Sequence, residues 1–530
     1  GAPNFPFYQN FVMCQSGLDA ALGGADLEVG AYIPGLSDWA GMVSVGGYAL
    51  GNASYNYWQG PQTGQGVVPW FGGVYTRLDM TFIENWDFSL QANNDSYFDW
   101  TGFARLTYRM GGSRRRNVPD QMEQPMMRNE HIVRAHQTPV MAINPSTGTP
   151  WRVIHVNNAA PSGGTGTAER PVNTLAQGSA AATNPWDIVF VHQGLSRTTT
   201  PYGGTFAFNA PNQFLVGDGG TFLLDTLNCG RESLSTGTGL VPLLSNPAGD
   251  SVFIDGAVAG GATVADLDMV GSMTGIYGTG NLTSAEGRPL TVQNVSISGN
   301  GTAASQAGVY LEAASGDAVF TNTAIANMTN GGLVVTQPGA GPLNLDYQGS
   351  ITSDIAQNGG VVSPIVYIGD VQGGTISVAT GGGAAGSTVP NAVSDTGGSG
   401  IQIVSNAAGT TIDIGNVSLT NNAQTAIAVL NDNSATSITA DAGTGIVKQT
   451  NGAAISVIGG SPTFNYTGPI TNGLPTSGAT TSYLLSVANT LGGDVTLTAS
   501  GSAFTDTGNG ISINNDKPSK PGRSIAFGRG

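Results

Sequence analysis

Only 10% of the 530 residues are charged, and the basic sign is the scarcer: 18 Lys and Arg stand against 34 Asp and Glu, a formal charge of −16. A chain so poor in cations has no track along which to release the counterions of a phosphate backbone, which excludes nucleic acid as a partner. Cysteine is almost missing. Cys14 and Cys229 are far apart and in differently composed stretches, so they read as isolated thiols rather than a disulfide framework or a metal site. No apolar run reaches the roughly 18 residues of a transmembrane helix. The opening "GAPNFPFYQN" also lacks the charged and apolar regions of a signal peptide, so any export signal is expected to have been removed or not included.

What the chain has in quantity is glycine, 80 residues, with Val, Ile and Thr and 40% apolar residues overall. Glycine supplies the positive φ angles of tight turns and β-branched residues suit strands, so the expectation is an all-β protein of about two to four domains.

Before residue 101, where five of the seven tryptophans fall, apolar and polar residues alternate with period two. In "GVYTRLDMTF", Val74, Thr76, Leu78, Met80 and Phe82 share one face, and Tyr75, Arg77, Asp79 and Thr81 the other. "WDFSLQAN" sets Trp86, Phe88, Leu90 and Ala92 against Asp87, Ser89, Gln91 and Asn93. "FDWTGFARLTYRM" sets Trp100, Ala104, Leu106 and Tyr108 against Asp99, Thr101, Arg105 and Thr107, and "ADLEVGAYI" sets Leu27, Val29, Ala31 and Ile33 against Asp26, Glu28 and Gly30. A soluble sandwich alternates too. Strands of ~10 residues with aromatic ends and charges on the inward face, however, are what a membrane-spanning barrel requires. The roughly six strands fall short of the about eight that close a single-chain barrel.

These strands, with the hinge "GGSRRRNVPDQMEQPMMRNEHIVRAH" that follows them, resemble the second half of an inverse autotransporter β-domain of the variety found in planctomycete surface proteins. The resemblance spans about residues 1 to 220. It implies an outer-membrane barrel followed by a passenger displayed outside, and a front half of the barrel missing from this sequence. It also implies that the residues after the last barrel strand thread back through the pore. Arg114, Arg115 and Arg116 would then anchor the linker by pairing with lumen-facing Asp79, Asp99 and Glu28. A solvated tether is the alternative for that segment. His131 and His136 lie five apart without further ligands, so no metal site is expected.

From residue 150, "WRVIHVNN", "GTGTAERPVNTL" and "NPWDIVFVHQG" read as strand, Gly-rich turn with a short helix, and strand, similar to the first coil of many right-handed parallel β-helices. Beyond them runs a repeat. "AIAV" at Ala426, "AISV" at Ala454, "SYLL" at Ser482 and "GISI" at Gly510 recur every 28 residues, and "GVYL" at Gly308, "GLVV" at Gly332, "GVVS" at Gly360 and "GIQI" at Gly400 recur less regularly upstream. Stacked turns of this kind bury one continuous core. Ile427, Val429, Ile455, Val457, Ile511 and Ile513 are its expected inward residues, and "GGGAAGSTVPNAVSDTGG" is an expected loop. A sandwich or propeller would not need such constant single-strand spacing. The domains expected are thus a partial antiparallel barrel over 1–110, a linker over 111–150, a right-handed parallel β-helix over 151–516 and a polar tail over 517–530.

Chemistry is sparse along the repeat. Between residues 232 and 516 the basic residues are Arg288 and Lys448, with no histidine, which removes both the base and the positive groove of a polysaccharide lyase. Asp266 and Asp268 of "ADLDMVG" form the one weak catalytic candidate, as a hydrolytic carboxylate pair. No cofactor is expected. The functional expectation is a non-enzymatic protein of the outer membrane and cell surface, anchored in outer-membrane lipid, its passenger serving adhesion or surface structure towards a surface polysaccharide or protein receptor. A β-helical polysaccharide-degrading enzyme is the alternative.

Overall fold

The structure, a computed structural model, describes residues 7–14, 19–21, 23–51, 54–59, 62–67, 70–83, 86–96, 99–108, 134–136, 141–220, 222–235, 239–299, 307–338, 341–354, 363–380, 391–420, 422, 425–440, 445–448, 452–473, 482–499, 504–514 and 524–529. The chain divides into two compact units. One comprises Gly1–Val12, Pro150–Leu224 and Ser233–Gly530, the other Met13–Thr149 with Asp225–Glu232. The expected boundaries therefore shift: the first twelve residues group with the repeat region, and Ser524–Arg529, within the expected polar tail, forms a strand paired with Asp494–Ala499.

In the second unit the strands Gly23–Tyr32, Met42–Gly51, Phe71–Ile83, Trp86–Asp95 and Asp99–Tyr108 form an antiparallel sheet in sequence order. Directly opposed residues of antiparallel strands share a face, so the register tests the alternation. Val29 faces Val45, Val45 faces Thr76, Thr76 faces Ala92 and Ala92 faces Gly102, while Glu28 faces Gly46, Gly46 faces Tyr75, Tyr75 faces Asn93 and Asn93 faces Thr101. The expected faces are kept in these strands, in Phe71–Ile83 as far as Met80; between Met80 and Ile83 the register shifts, so that Ile83 rather than Phe82 comes opposite Trp86. Strands Ser54–Gln59 and Gln62–Val67 pair with each other as a hairpin between the second and third strands.

The other unit is a β-solenoid. Its strands join into a 28-stranded sheet in which successive coils pair parallel and in register. A typical coil carries Thr410–Thr420, Ile427–Leu430 and then Ala435–Ala440 of the next, and each strand lies on its counterpart one coil on. Inside, Ile427, Val429, Ile455 and Val457 are fully buried, as expected. At the bends the backbone goes left-handed. Asp266, Asn294 and Asn322 have φ of 56°, 54° and 50°, a conformation that Asx side chains tolerate best after glycine. They stack, Asn294 Nδ2 donating to Asp266 Oδ1 at 2.9 Å and Asn322 Nδ2 to Asn294 Oδ1 at 2.7 Å. The short helix Leu175–Ala181 is present, its N-cap Thr174 hydroxyl accepting from the Gln177 N–H.

Several expectations need correction. Ile455 pairs with Leu485, 30 residues on, not with Tyr483 at 28. A slip of two keeps every side chain on its own face, so the ladder absorbs it. The strand that pairs with Leu333–Thr336 one coil on is Val366–Gly369, and "GVVS" at Gly360 falls largely outside the described residues. Within the expected loop, Ala392–Thr396 is a strand. Ile511 and Ile513 are 46% and 56% exposed, because no further strand of their row lies over Ile511–Asn514 among the described residues.

A carboxylate introduced at Ile455 would sit unpaired between coils, a substitution costing about 3–5 kcal/mol or more. Asn465, on the outer side of the strand whose Phe464 and Tyr466 are buried, is exposed. Urea unfolding of the full chain should show Ile455→Asp losing most of the solenoid's stability and Asn465→Asp almost none; equal losses would reverse the inside and outside of the coil.

Candidate functional site

The antiparallel sheet has the polarity of a soluble sheet reversed. On its apolar face Leu27, Val29, Val43, Val45, Val74, Leu90 and Leu106 are between 44% and 76% exposed. Aromatic residues close that face at both ends: Trp86 and Tyr108, rings 5.0 Å apart, at one, and exposed Trp70 and Trp100 at the other. The polar face is where side chains are bonded. Arg77 donates to Glu28 Oε1 at 2.6 Å and to Asp79 Oδ2 at 2.8 Å, Tyr75 donates to Glu28 Oε2 at 2.8 Å, and Tyr48 donates to Asp95. Two of these rings lie over glycines of the neighbouring strand. A Cβ at Gly46 would come within 2.4 Å of the Tyr75 ring, and one at Gly73 within 2.4 Å of the Tyr48 ring, so the polar face is packed to the backbone.

Glu28, Asp79 and Asp99 all stand on this polar face, Asp99 opposite Asp95. Arg114, Arg115 and Arg116 lie outside the described residues, as does His131, while His136 is in the short strand Arg134–His136 paired with Asp19–Ala21. Sequence reasoning missed the partnership of Tyr48 with Asp95, since "MVSVGGYALG" alternates weakly around its two glycines.

Cys14 and Cys229 are not isolated thiols. They are joined in a disulfide across 215 residues, with Cα atoms 5.9 Å apart, and both belong to the same unit. The tip around Cys229 is clipped in place by Leu227 N–H donating to Ile143 O at 2.8 Å and by Asn228, which accepts from Ile143 N–H and donates to Met141 O, both at 2.9 Å. Glu232 comes close enough to the two sulfurs to suggest a metal triad, but the sulfurs are spent on each other. On the chain-entropy account a loop of this length is worth on the order of 5 kcal/mol.

Asp266 and Asp268 are held apart by different partners. Asp266 is buried at the left-handed bend, accepting from the Phe222 N–H at 3.0 Å and from Asn294, whereas Asp268 forms an ion pair with Arg197. Both carboxylates are engaged in the architecture of the coil.

Histidines 155 and 192, which sequence reasoning passed over, meet in the first coils. His155 Nδ1 lies 3.1 Å from His192 Nε2, and His192 Nδ1 lies 3.5 Å from Asp218. Phe7 and Phe190 pack edge-on against the His155 ring. Burial first, and then the neighbouring His192, pushes the His155 imidazole down to about 3. One histidine lies inside its strand and the other just beyond the end of the paired one, so no spacing in the sequence announces the pair.

No family model matches the chain, and no curated protein does. Two solved structures are similar in part. A GH136 lacto-N-biosidase from Eubacterium ramulus, in a selenomethionine derivative, has 12% identity over 71% of this chain and 68% of that one, with a TM-score of 0.23. The catalytic unit of a thermostable GH87 α-1,3-glucanase from Streptomyces thermodiastaticus strain HF3-3 has 11% identity over 99% and 97%, with a TM-score of 0.27. At such TM-scores neither likeness bears on activity.

Two outcomes follow from these contacts. Maleimide in denaturant should add nothing to the intact mass, and two adducts after reduction; adducts without reduction would mean free thiols. His155 is neutral in the folded chain down to about pH 3 but titrates near 6.5 when unfolded, so its contribution is complete above pH 6.5 and is lost as pH falls from there towards 3. His155→Phe should remove that part of the acid destabilisation in urea melts taken between pH 7 and pH 4, and an unchanged slope would place the protonation elsewhere.

Proposed function

We propose that the antiparallel sheet is part of an outer-membrane β-barrel whose apolar face meets lipid, and that the solenoid is a non-enzymatic passenger of inverse autotransporter type displayed at the cell surface. The observation that carries this is the reversed polarity of the sheet. In water such a face would be an aggregation hazard, whereas hydrocarbon removes the penalty. Ten-residue strands rise about 34 Å and, tilted by about 40°, cover about 26 Å, the height of the apolar band of such barrels. The aromatic residues at both ends fall where interfacial girdles lie.

Five strands do not close a barrel, for which about eight are needed, and open edges are not tolerated in lipid. The reading therefore requires the edges Gly23–Tyr32 and Asp99–Tyr108 to be paired by further strands when in the membrane. The Cys14–Cys229 disulfide supports an exported location, because such bonds persist in oxidising compartments. Adhesion or a structural role at the surface accounts for a long passenger whose candidate catalytic pair is taken up by its own coils.

Flotation with phosphatidylethanolamine–phosphatidylglycerol vesicles tests the anchor. The full chain should float with lipid. Val45→Arg, in the middle of the apolar face, should lower the bound fraction through a penalty of about 2–4 kcal/mol, while Thr101→Arg on the polar face should not. A chain that stays in the aqueous fraction, or equal losses in both variants, would sink the membrane reading.

A further inference from the structure

Along the outer side of one solenoid face the register aligns Phe253, Tyr277, Tyr310, Val334 and Tyr367, one per coil. Their flanking residues, such as Ile276, Val309 and Leu333, are core, so this row points outward. The first three rings form a column. Phe253 and Tyr277 lie 5.6 Å apart and 14° from parallel, and Tyr277 and Tyr310 lie 5.5 Å apart. Val334 then interrupts the column. Where its ring would be, a cleft of about 400 Å³ opens between Tyr310 and Tyr367, with Val334 as floor and Thr274, Asn330 and Ser363 around the rim. Tyr367 leans over Gly369, where a Cβ would come within 2.7 Å of its ring; only glycine leaves room for that posture.

The walls are separated by two coil spacings, roughly 9.6 Å. A flat aromatic ligand sandwiched at carbon contact distance fills only about 7 Å, whereas a puckered pyranose ring, with C–H groups above and below, fills about 9 Å. The surroundings are acidic: Glu312 accepts from the Tyr277 hydroxyl, and burial together with Glu312 and Asp370 raises the Tyr310 and Tyr367 hydroxyls. Arg288, one of only two basic residues between 232 and 516, lies over the Trp186 and Phe214 rings. An anionic ligand therefore meets repulsion without compensation. A quaternary ammonium would suit the charge, but it would strip water from Thr274, Asn330 and Ser363 and return no hydrogen bonds. Ser363 already donates to Asn330 Oδ1 at 2.9 Å, the kind of paired rim that sugar hydroxyls extend.

We propose that the slot between Tyr310 and Tyr367 binds one pyranose residue of an uncharged polysaccharide, held by C–H contacts to both rings and by hydroxyls to the rim. Its occupancy does not depend on whether the antiparallel sheet enters lipid, so a failed flotation experiment leaves it standing.

The test is equilibrium binding of the full chain to cellohexaose, laminarihexaose, maltohexaose and mannohexaose, with polygalacturonate and choline as charged probes. At least one neutral hexasaccharide should bind, with Tyr310→Ala and Tyr367→Ala each raising Kd about tenfold, a loss of about 1.4 kcal/mol. Val334→Tyr continues the existing ring column and fills the slot, so it should abolish binding while circular dichroism stays unchanged. No binding of any neutral hexasaccharide up to roughly 10 mM, corresponding to about 2.7 kcal/mol, would overturn the proposal. So would binding that ignores Val334→Tyr, or a slot taken instead by polygalacturonate or choline.

Discussion

The solenoid depends on one interaction repeated, the backbone ladder that ties each coil to the next in register. Because Ile401, Ile427, Ile455, Leu485 and Ile511 are joined through consecutive pairings, each side chain lies on its counterpart and the coil becomes a set of rows. Apolar rows make the core, Asp266–Asn294–Asn322 makes a bend, and Asn406 with Asp432 makes another, Asn406 donating from both its N–H and its side chain to Asp432 Oδ1. The last of these is a fully buried carboxylate and amide, tolerable because each finds a partner inside the coil. Coil length is free to vary because the loops between strands absorb the difference, which is why advances of 24 and 33 residues follow one another at Val309, Leu333 and Val366.

The second unit solves the opposite problem with the same period of two. In water, each large aliphatic side chain left on its outer face forgoes up to about 1.5–3 kcal/mol, and the partly exposed hydrogen bonds opposite return only about 0.5–1.5 kcal/mol apiece. Seven such side chains outweigh the network around Arg77, Tyr75 and Tyr48. The imbalance disappears only where the apolar face is not wetted. The ion pairs gain at the same time if water is restricted on their side, so one displacement of solvent stabilises both faces.

How much of this was legible depended on the range of the interaction. Alternation is local, and the faces of residues 71–80, Trp86–Asp95 and Asp99–Tyr108 follow from residue order, whereas the register shift before Ile83 does not. Burial of Ile427 and Val457 was legible from the repeat, but pairing partners were not: a two-residue slip at Leu485 leaves the hydrophobic pattern unchanged, so the pattern carries no signal of it. Contacts that close over long stretches left no trace. Cys14 and Cys229 looked unrelated because nothing in their neighbourhoods hints at the hairpin tip that returns to 141–143. Asp266 looked like half of a catalytic pair because the sequence cannot show that its backbone is left-handed and its carboxylate bonded to Phe222 and Asn294.

The tyrosine slot is illegible for a further reason, and that reason explains its place in the molecule. A stacked solenoid tends to fill each row with like side chains, since a ring on a ring loses no contact between coils. A gap appears only where one member is too small to reach its neighbours, and Val334 between Tyr310 and Tyr367 is such a member. Its width is then a multiple of the coil spacing, fixed by backbone hydrogen bonds and not by flexible loops. A recess of fixed width on a rigid wall needs little reordering to accept a ligand, which lowers the entropic cost of binding. Departure from repetition in the row, rather than any motif, is what gives this face a shape that can select.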